Sequence, residues 1–243
     1  MQGIDHRALA TWPEKGSGLG VGSWFRESVR LAKWSAFPPS FPERGALPRG
    51  NGEGVLVIPG FLTGDGTTVR LRTFLWGLGY RAEGWRAGRN LGPRSRAIER
   101  LKTRVARLAD QTGGKVAVAG VSLGGVFARE VARMMPDHVC AVATMCSPAR
   151  LPIPTPLAPF VWALQRSFDP GLVAGVMDDV QMPPQKMLAL YSREDGIVDW
   201  RTCVPPESDT VTAMEIDGAR HSTIGSTPRA QAALAHFLAR AFD

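Results

Sequence analysis

Residues 120–125 read Gly120-Val121-Ser122-Leu123-Gly124-Gly125, and they lie between the apolar run 116–119 and a helix-like stretch over 126–135. The order is strand, sharp turn, helix. A serine at the apex of such a turn has a strained backbone and an exposed hydroxyl, and only glycines two positions to either side let strand and helix pass so closely. The stretch therefore predicts a nucleophilic Ser122. The alternative is a glycine-rich turn with an incidental serine.

The rest of the chain from Val55 onward alternates short apolar runs with helix-like stretches. This alternation is typical of a parallel sheet that is covered by helices on both faces, so we expect the α/β class. The expected strands are 55–58, 80–85, 116–119, 139–145, 187–191 and 211–216, and the expected helices are 67–78, 97–111, 126–135 and 228–242. Thr227 is the expected N-cap of the last helix, with Pro228 as its first residue.

Residues 1–52 differ in composition from the remainder, because they combine a glycine-rich run, a helix-like stretch over 23–35 and a proline-rich run. We expect an N-terminal arm over 1–52 and one α/β domain over 53–243. Residues 149–185 interrupt the alternation with many prolines and few polar residues, which predicts a small lid insertion. The helix-like stretch of the arm carries Trp24, Phe25, Leu31 and Trp34, and we expect this apolar set to pack on the body.

Charge and cysteine content narrow the class of protein. The net charge of +7 comes from arginines scattered along the chain, so the sequence indicates no nucleic-acid partner. Contact with a membrane surface and the oligomeric state stay open. Three cysteines without metal-ligand spacing predict free thiols and no metal site. With no signal-peptide core and no stretch of membrane-spanning length, we expect a cytoplasmic location.

A serine nucleophile needs a base, and the chain has four histidines. Catalytic groups of parallel sheets lie beyond the carboxyl ends of the strands. His138 precedes its strand, His236 lies inside the last helix and His6 lies in the arm. His221 follows the strand 211–216 in a loop, so we expect it to be the base.

The base in turn needs a carboxylate that orients it. Asp195 is the first aspartate beyond the strand 187–191 and is followed by a glycine suited to a tight turn. Asp199 and Glu194 are the alternatives. The chain order Ser122, Asp195, His221 favours Asp195.

The negative charge of a tetrahedral intermediate needs preorganised donors. One expected donor is the backbone N–H of Leu123, directly after the nucleophile. The other is the N–H of Phe61, in the glycine-rich loop 59–66 that follows the strand 55–58.

Together these patterns resemble the α/β-hydrolase superfamily, and within it the bacterial lipase-like and esterase-like members related to deacylases of lipid anchors. The resemblance covers about four fifths of the chain, and the stretches that carry it are 58–62, 88–93, 120–125, 146–148, 195–198 and His221. Such relatives cleave carboxylic esters through an acyl-enzyme, without a metal or an organic cofactor. The resemblance therefore implies the same chemistry for this chain.

The expected substrate is a small-molecule ester or lipid with a short to medium acyl chain. Within the insertion, Leu157, Phe160 and Trp162 are the expected acyl-binding residues. Two alternatives stay open. The same fold could transfer the acyl group to an alcohol or amine, or it could serve as a non-catalytic binding scaffold.

Overall fold

The computed structural model describes residues 9–36, 46–177 and 182–243, and for residues 30–36 and 175–177 it describes the backbone alone. Leu31 and Trp34 therefore lie outside the described side chains. In chain order the strands and α-helices are β1 (Ala10–Thr11), α1 (Val21–Ala36), β2 (Gly54–Ile58), α2 (Val69–Gly77), β3 (Arg81–Gly84), α3 (Ser95–Thr112), β4 (Val116–Val121), α4 (Leu123–Met134), β5 (Val139–Met145), β6 (Ile153–Pro154), α5 (Ala158–Leu164), α6 (Pro170–Met177), β7 (Lys186–Tyr191), β8 (Val211–Glu215) and α7 (Pro228–Phe242).

The main sheet has six strands in the order β3-β2-β4-β5-β7-β8, and every neighbouring pair is parallel. The predicted parallel sheet is thus confirmed. All five residues of β2 are buried, as expected for a central strand covered on both faces. Carboxyl ends of all six strands lie along one edge.

Alternate residues of β2 point into two separate cores. Val55 and Val57 pack in the core that contains buried residues of α2 and α7. Leu56 and Ile58 pack in the opposite core, with buried residues of α3 and α4. Because side chains alternate between the two faces of a strand, β2 packs against helices on both faces of the sheet.

The boundaries of the predicted strands and helices agree with the structure to within about three residues, and the largest difference is at the start of α4. The helix predicted over 126–135 begins at Leu123, so Gly124 and Gly125 lie inside its first turn. Thr227 occupies the N-cap position of α7, but its hydroxyl donates to Thr223 O at 3.3 Å and does not cap the helix. Pro228 is the first residue of α7, as predicted.

The described start of the arm contacts the insertion. β1 pairs in parallel with β6, with Ala10 opposite Ile153. The indole Nε1 of Trp162 donates to Ala10 O at 3.0 Å, and Leu9 packs with Phe168 of the insertion. The boundaries of arm, domain and lid stay predictions. None of the helices in the described ranges is long and apolar enough to cross a membrane.

The turn between β4 and α4 depends on two close backbone approaches. A Cβ added to Gly120 would lie 2.1 Å from Gly124 O, and one added to Gly124 would lie 2.3 Å from Ile58 O. Both distances are far shorter than a van der Waals contact distance, and the atoms approached belong to the backbone, which cannot move aside as a flexible side chain can. The N-terminus of α4 can therefore pack against β2 and β4 only when both positions are glycine.

Gly124→Ala should lower the free energy of unfolding by about 3 kcal/mol, because the added methyl group must displace the β2 backbone. Thermal or urea unfolding followed by circular dichroism measures this loss. Gly114→Ala is the matched control, since a Cβ there meets nothing within 4 Å. Equal stability of the two variants would show that the turn is not as tight as described.

Candidate active site

Ser122 lies at the apex of the turn between β4 and α4, with φ 54° and ψ −126°. A non-glycine residue pays about 1–3 kcal/mol for such a backbone conformation, and strain of this kind concentrates at functional sites. The Ser122 amide donates to Met145 O at 2.8 Å, and Ser122 O accepts from Gly125 N at 2.9 Å. The side chain is thereby held at the carboxyl edge of the sheet.

Asp195 and His221 meet across the loops that follow β7 and β8. Asp195 Oδ2 lies 2.7 Å from His221 Nδ1. Asp195 Oδ1 accepts from the amides of Ile197 at 2.8 Å and Val198 at 2.9 Å. Because both carboxylate oxygens are engaged and the Asp195 side chain is 0% exposed, the carboxylate is fixed in orientation and holds the imidazole with Nδ1 toward it.

The alternative carboxylates lie elsewhere. Asp199 accepts from the amide of Arg201 at 3.0 Å and begins a 3₁₀ turn. Glu194 pairs with Arg220 at 2.7 Å in a solvent-exposed ion pair. Of the three carboxylates considered from the sequence, Asp195 is the one placed against His221.

The other described histidines are remote from this edge. His138 lies at the opposite edge, where its carbonyl accepts from Val116 N at 2.8 Å. His236 is exposed on α7. His6 lies outside the described residues.

The electrostatic surroundings of His221 favour its protonated form. Burial acts to lower the pKa of the imidazole, but the charge and hydrogen bond of Asp195 and the charge of Glu27 outweigh it and raise the pKa above its ordinary value. Cys146 has φ 48°, is fully buried and lies beside the Asp195 carboxylate. Burial and the Asp195 charge raise the pKa of the Cys146 thiol well above its ordinary value, so it is a neutral neighbour of the pair.

The side chains of Cys146, Asp195 and His221 are also the one group of three ligand-type side chains found within the described ranges, with ligand atoms within 4.8 Å of one another. His221 Nδ1 is engaged with Asp195 Oδ2 at 2.7 Å. A metal ion could use that nitrogen only by breaking the hydrogen bond. The geometry is therefore that of an oriented imidazole.

The two amides expected to stabilise an oxyanion flank Ser122. Leu123 is the first residue of α4, so its N–H has no acceptor within the helix. Phe61 follows Gly60, whose Cβ, if present, would lie 3.3 Å from Ser122 Cβ. This places the loop after β2 directly against the serine. No hydrogen bond among the described residues uses the Phe61 amide.

Two cavities meet at Ser122. The larger cavity has a volume of about 220 Å³, contains His221 in its wall and carries several hydroxyl groups, those of Ser28, Thr63, Thr67, Ser222 and Ser226. The smaller cavity has a volume of about 90 Å³ and is mainly apolar. Phe61, Leu157 and Ile197 line both cavities, as Ser122 does. Within the described residues no hydrogen bond joins the Ser122 hydroxyl to His221, although both line the larger cavity.

Of the three insertion residues expected to bind an acyl chain, Leu157 alone lines these cavities. Phe160 and Trp162 line neither cavity, and their part in acyl binding stays a prediction. Phe160 is 42% exposed and its ring faces Trp24 at 6.0 Å, while the Trp162 indole is directed to Ala10 O. The insertion does supply other apolar groups to the smaller cavity, namely Ile153, Val161 and Phe168.

Sequence reasoning missed several residues that position this site. Asn90 is fully buried, and its side chain donates to Pro59 O at 2.9 Å, which supports the loop that carries Phe61. The Ser192 hydroxyl donates to Ala219 O at 2.9 Å and connects the loops of Asp195 and His221. Asn90 lies in the stretch 88–93 that carried the family resemblance, but nothing local marks its role.

Comparison with known proteins supports the architecture. No protein-family model matches the sequence, and no curated protein is similar to it. Among solved structures, one comes from work on LipS and LipT, two metagenome-derived lipolytic enzymes. The similarity covers 84% of this chain and 99% of that chain, with 14% sequence identity and a TM-score of 0.58. A monoacylglycerol lipase from Paleococcus ferrophilus is similar over 79% and 96%, with 17% identity and a TM-score of 0.59. A thermophilic esterase from Thermogutta terrifontis is similar over 80% and 92%, with 17% identity and a TM-score of 0.53.

The contact between Asp195 and His221 predicts how substitutions change the pKa of His221. Asp195→Asn should lower the pKa of His221, because burial then acts without the opposing Asp195 charge. Asp199→Asn should leave it unchanged. Two-dimensional NMR of the histidine side chains over pH measures both. If Asp199→Asn produced the larger shift, the pairing described above would be wrong.

Proposed function

We propose that this chain, which has the α/β-hydrolase fold, is a serine hydrolase that cleaves carboxylic esters through an acyl-enzyme. One observation carries the proposal, namely that the strained Ser122 and the Asp195–His221 pair converge on one edge of the sheet. The solved structures with similar folds include lipases and esterases, which supports the same reaction class.

The first half of the reaction makes the acyl-enzyme. Ser122 Oγ attacks the ester carbonyl carbon while His221 Nε2 takes the hydroxyl proton, and Asp195 stabilises the resulting imidazolium through Nδ1. The hydroxyl comes within hydrogen-bond distance of His221 in the substrate complex, as catalytic contacts commonly do. The amides of Phe61 and Leu123 receive the oxyanion. His221 then gives its proton to the leaving alkoxide, and the alcohol departs.

The second half releases the acid. Water attacks the acyl carbonyl carbon, His221 takes its proton, and the tetrahedral intermediate collapses as the proton returns to Ser122 Oγ. The carboxylic acid leaves and the free serine is restored. These steps use no metal or organic cofactor.

The two cavities suggest how the ester is divided. The smaller, apolar cavity accepts the acyl chain, and its volume of about 90 Å³ limits that chain to short or medium length. The larger cavity, with its hydroxyl groups, accepts the alcohol part. The same cavity would hold an acceptor alcohol if the enzyme transferred acyl groups, so product analysis with added alcohol distinguishes transfer from hydrolysis.

The three free cysteines agree with a cytoplasmic location, which stays a prediction.

Ser122→Ala should abolish both ester hydrolysis and labelling by a fluorophosphonate, because loss of the nucleophile typically costs several orders of magnitude in turnover. A p-nitrophenyl ester assay and mass spectrometry of the labelled protein measure the two effects. Circular dichroism checks that the variant is folded. Undiminished turnover in folded Ser122→Ala would refute the proposal, and absence of activity in the wild type would favour a binding scaffold.

The size of the smaller cavity predicts the acyl preference. Each buried methylene contributes about 0.8 kcal/mol, so kcat/KM should rise by one to two orders of magnitude from acetate to hexanoate and then fall for long chains. Val161→Phe should shift the optimum to shorter chains, because Val161 lines this cavity. Phe160→Ala is the matched control on the same helix, since Phe160 lies outside it. An acetate optimum in the wild type would show that this cavity does not bind the acyl group.

A further inference from the structure

Helix α1 of the arm places a buried carboxylate against the histidine loop. Glu27 is 4% exposed. Its Oε1 accepts from the His221 amide at 3.2 Å, and its Oε2 accepts from the Ser222 amide at 3.2 Å and from the Ser222 hydroxyl at 2.5 Å. Three donors of the histidine loop thus bind one side chain that is 194 residues away in sequence.

The same helix turn also packs on the loop that carries the acid. A Cβ added to Gly196 would lie 3.0 Å from Glu27 Cγ and 3.5 Å from Ser23 Cβ. Ser23 is itself buried, and its hydroxyl donates to Gly20 O at 2.9 Å at the start of α1. One face of α1 therefore contacts both loops whose side chains form the Asp195–His221 pair.

Glu27 is a buried carboxylate outside any ion pair of the described residues, because no arginine or lysine among them forms a salt bridge with it. A buried carboxylate is costly unless it is well hydrogen-bonded. Among the described residues, its donors come from the histidine loop. The negative charge is therefore directed at that loop, and no cation of the described part of the chain pairs with it.

We propose that Glu27 is a positioning residue, which fixes the His221 loop in its working geometry and adds a second negative charge beside the imidazole. The proposal rests on the proposed function, in which His221 is the base. It also makes the arm part of the active site, since Trp24, Glu27 and Ser28 line the larger cavity beside Ser122. The hydrolase body without α1 would carry the three catalytic side chains but would lack a support for one of their loops.

The groups facing His221 determine the sign of the pH effect. Asp195 and Glu27 carry negative charge, the Cys146 thiol is neutral, and the neighbouring Arg220 is paired with the exposed Glu194. Burial lowers the pKa of His221, and the two carboxylates raise it. Removing the Glu27 charge should therefore lower the pKa of His221, so the enzyme should keep its base deprotonated at more acidic pH.

Glu27→Gln tests the charge, because the amide has nearly the same shape. We expect the acid limb of the kcat/KM profile to move down by roughly half a pH unit, and kcat to fall about tenfold through loss of imidazolium stabilisation and of a loop hydrogen bond. Glu27→Asp keeps the charge but shortens the side chain, so kcat should fall while the acid limb stays near that of the wild type. Glu14→Gln is the control, an exposed carboxylate of the same arm whose removal should change neither quantity.

A second readout separates this proposal from the proposed function. NMR titration of the His221 side chain reports the pKa shift in Glu27→Gln even if the wild type hydrolyses no ester. If Glu27→Gln fails to fold, Ser222→Ala still tests the loop support, and it should lower kcat several-fold with the acid limb unmoved because the charge remains. An unchanged His221 pKa and unchanged kcat in folded Glu27→Gln would overturn the proposal, as would unchanged kcat in both Glu27→Asp and Ser222→Ala.

Discussion

The close approach of α4 to the sheet is the constraint on which the rest of the structure depends. Gly120 and Gly124 leave no room for a Cβ, and Ser122 between them has φ 54°. Hydrophobic packing on both faces of the sheet balances the strain of that backbone, since β4 is central and α4 contributes buried residues to the core. A looser turn would leave the serine hydroxyl poorly directed and the Leu123 amide away from it.

The parallel sheet brings the other loops of the proposed site next to the turn that carries Ser122. Because all six strands are parallel, the loops after β2, β4, β7 and β8 all emerge at one edge. Each loop contributes one part of the proposed chemistry. Buried hydrogen bonds hold the loops in their relative positions: the Asn90 side chain donates to Pro59 O, the Ser192 hydroxyl donates to Ala219 O, and Glu27 accepts from the amide of His221. The site is thus a set of short segments, and hydrogen bonds between loops and from helix α1 hold these segments in place.

The parts that local patterns could predict were the strands, their order along the chain and the residues just beyond the strand ends. Ser122, Asp195 and His221 were predicted as the catalytic residues because each lies in the turn or loop that directly follows an apolar run. The helix-like pattern of α4 begins at Val126, because Gly124 and Gly125 interrupt it, although the helix itself begins at Leu123. Periodicity does not reveal what the helix of the insertion faces, so the acyl-binding roles of Phe160 and Trp162 stay predictions. Glu27 was missed since its partners lie 194 residues away, and no local signal marks such a contact.

The most direct test of the central claim is a crystal structure of the protein after reaction with a fluorophosphonate. The account predicts a phosphorus covalently bound to Ser122 Oγ, with one phosphoryl oxygen about 2.7–3.1 Å from the amides of both Phe61 and Leu123. The alkyl or alkoxy group should enter the larger or the smaller cavity described above. Phosphorus bound to another residue, or a phosphoryl oxygen directed to solvent away from both amides, would contradict the account.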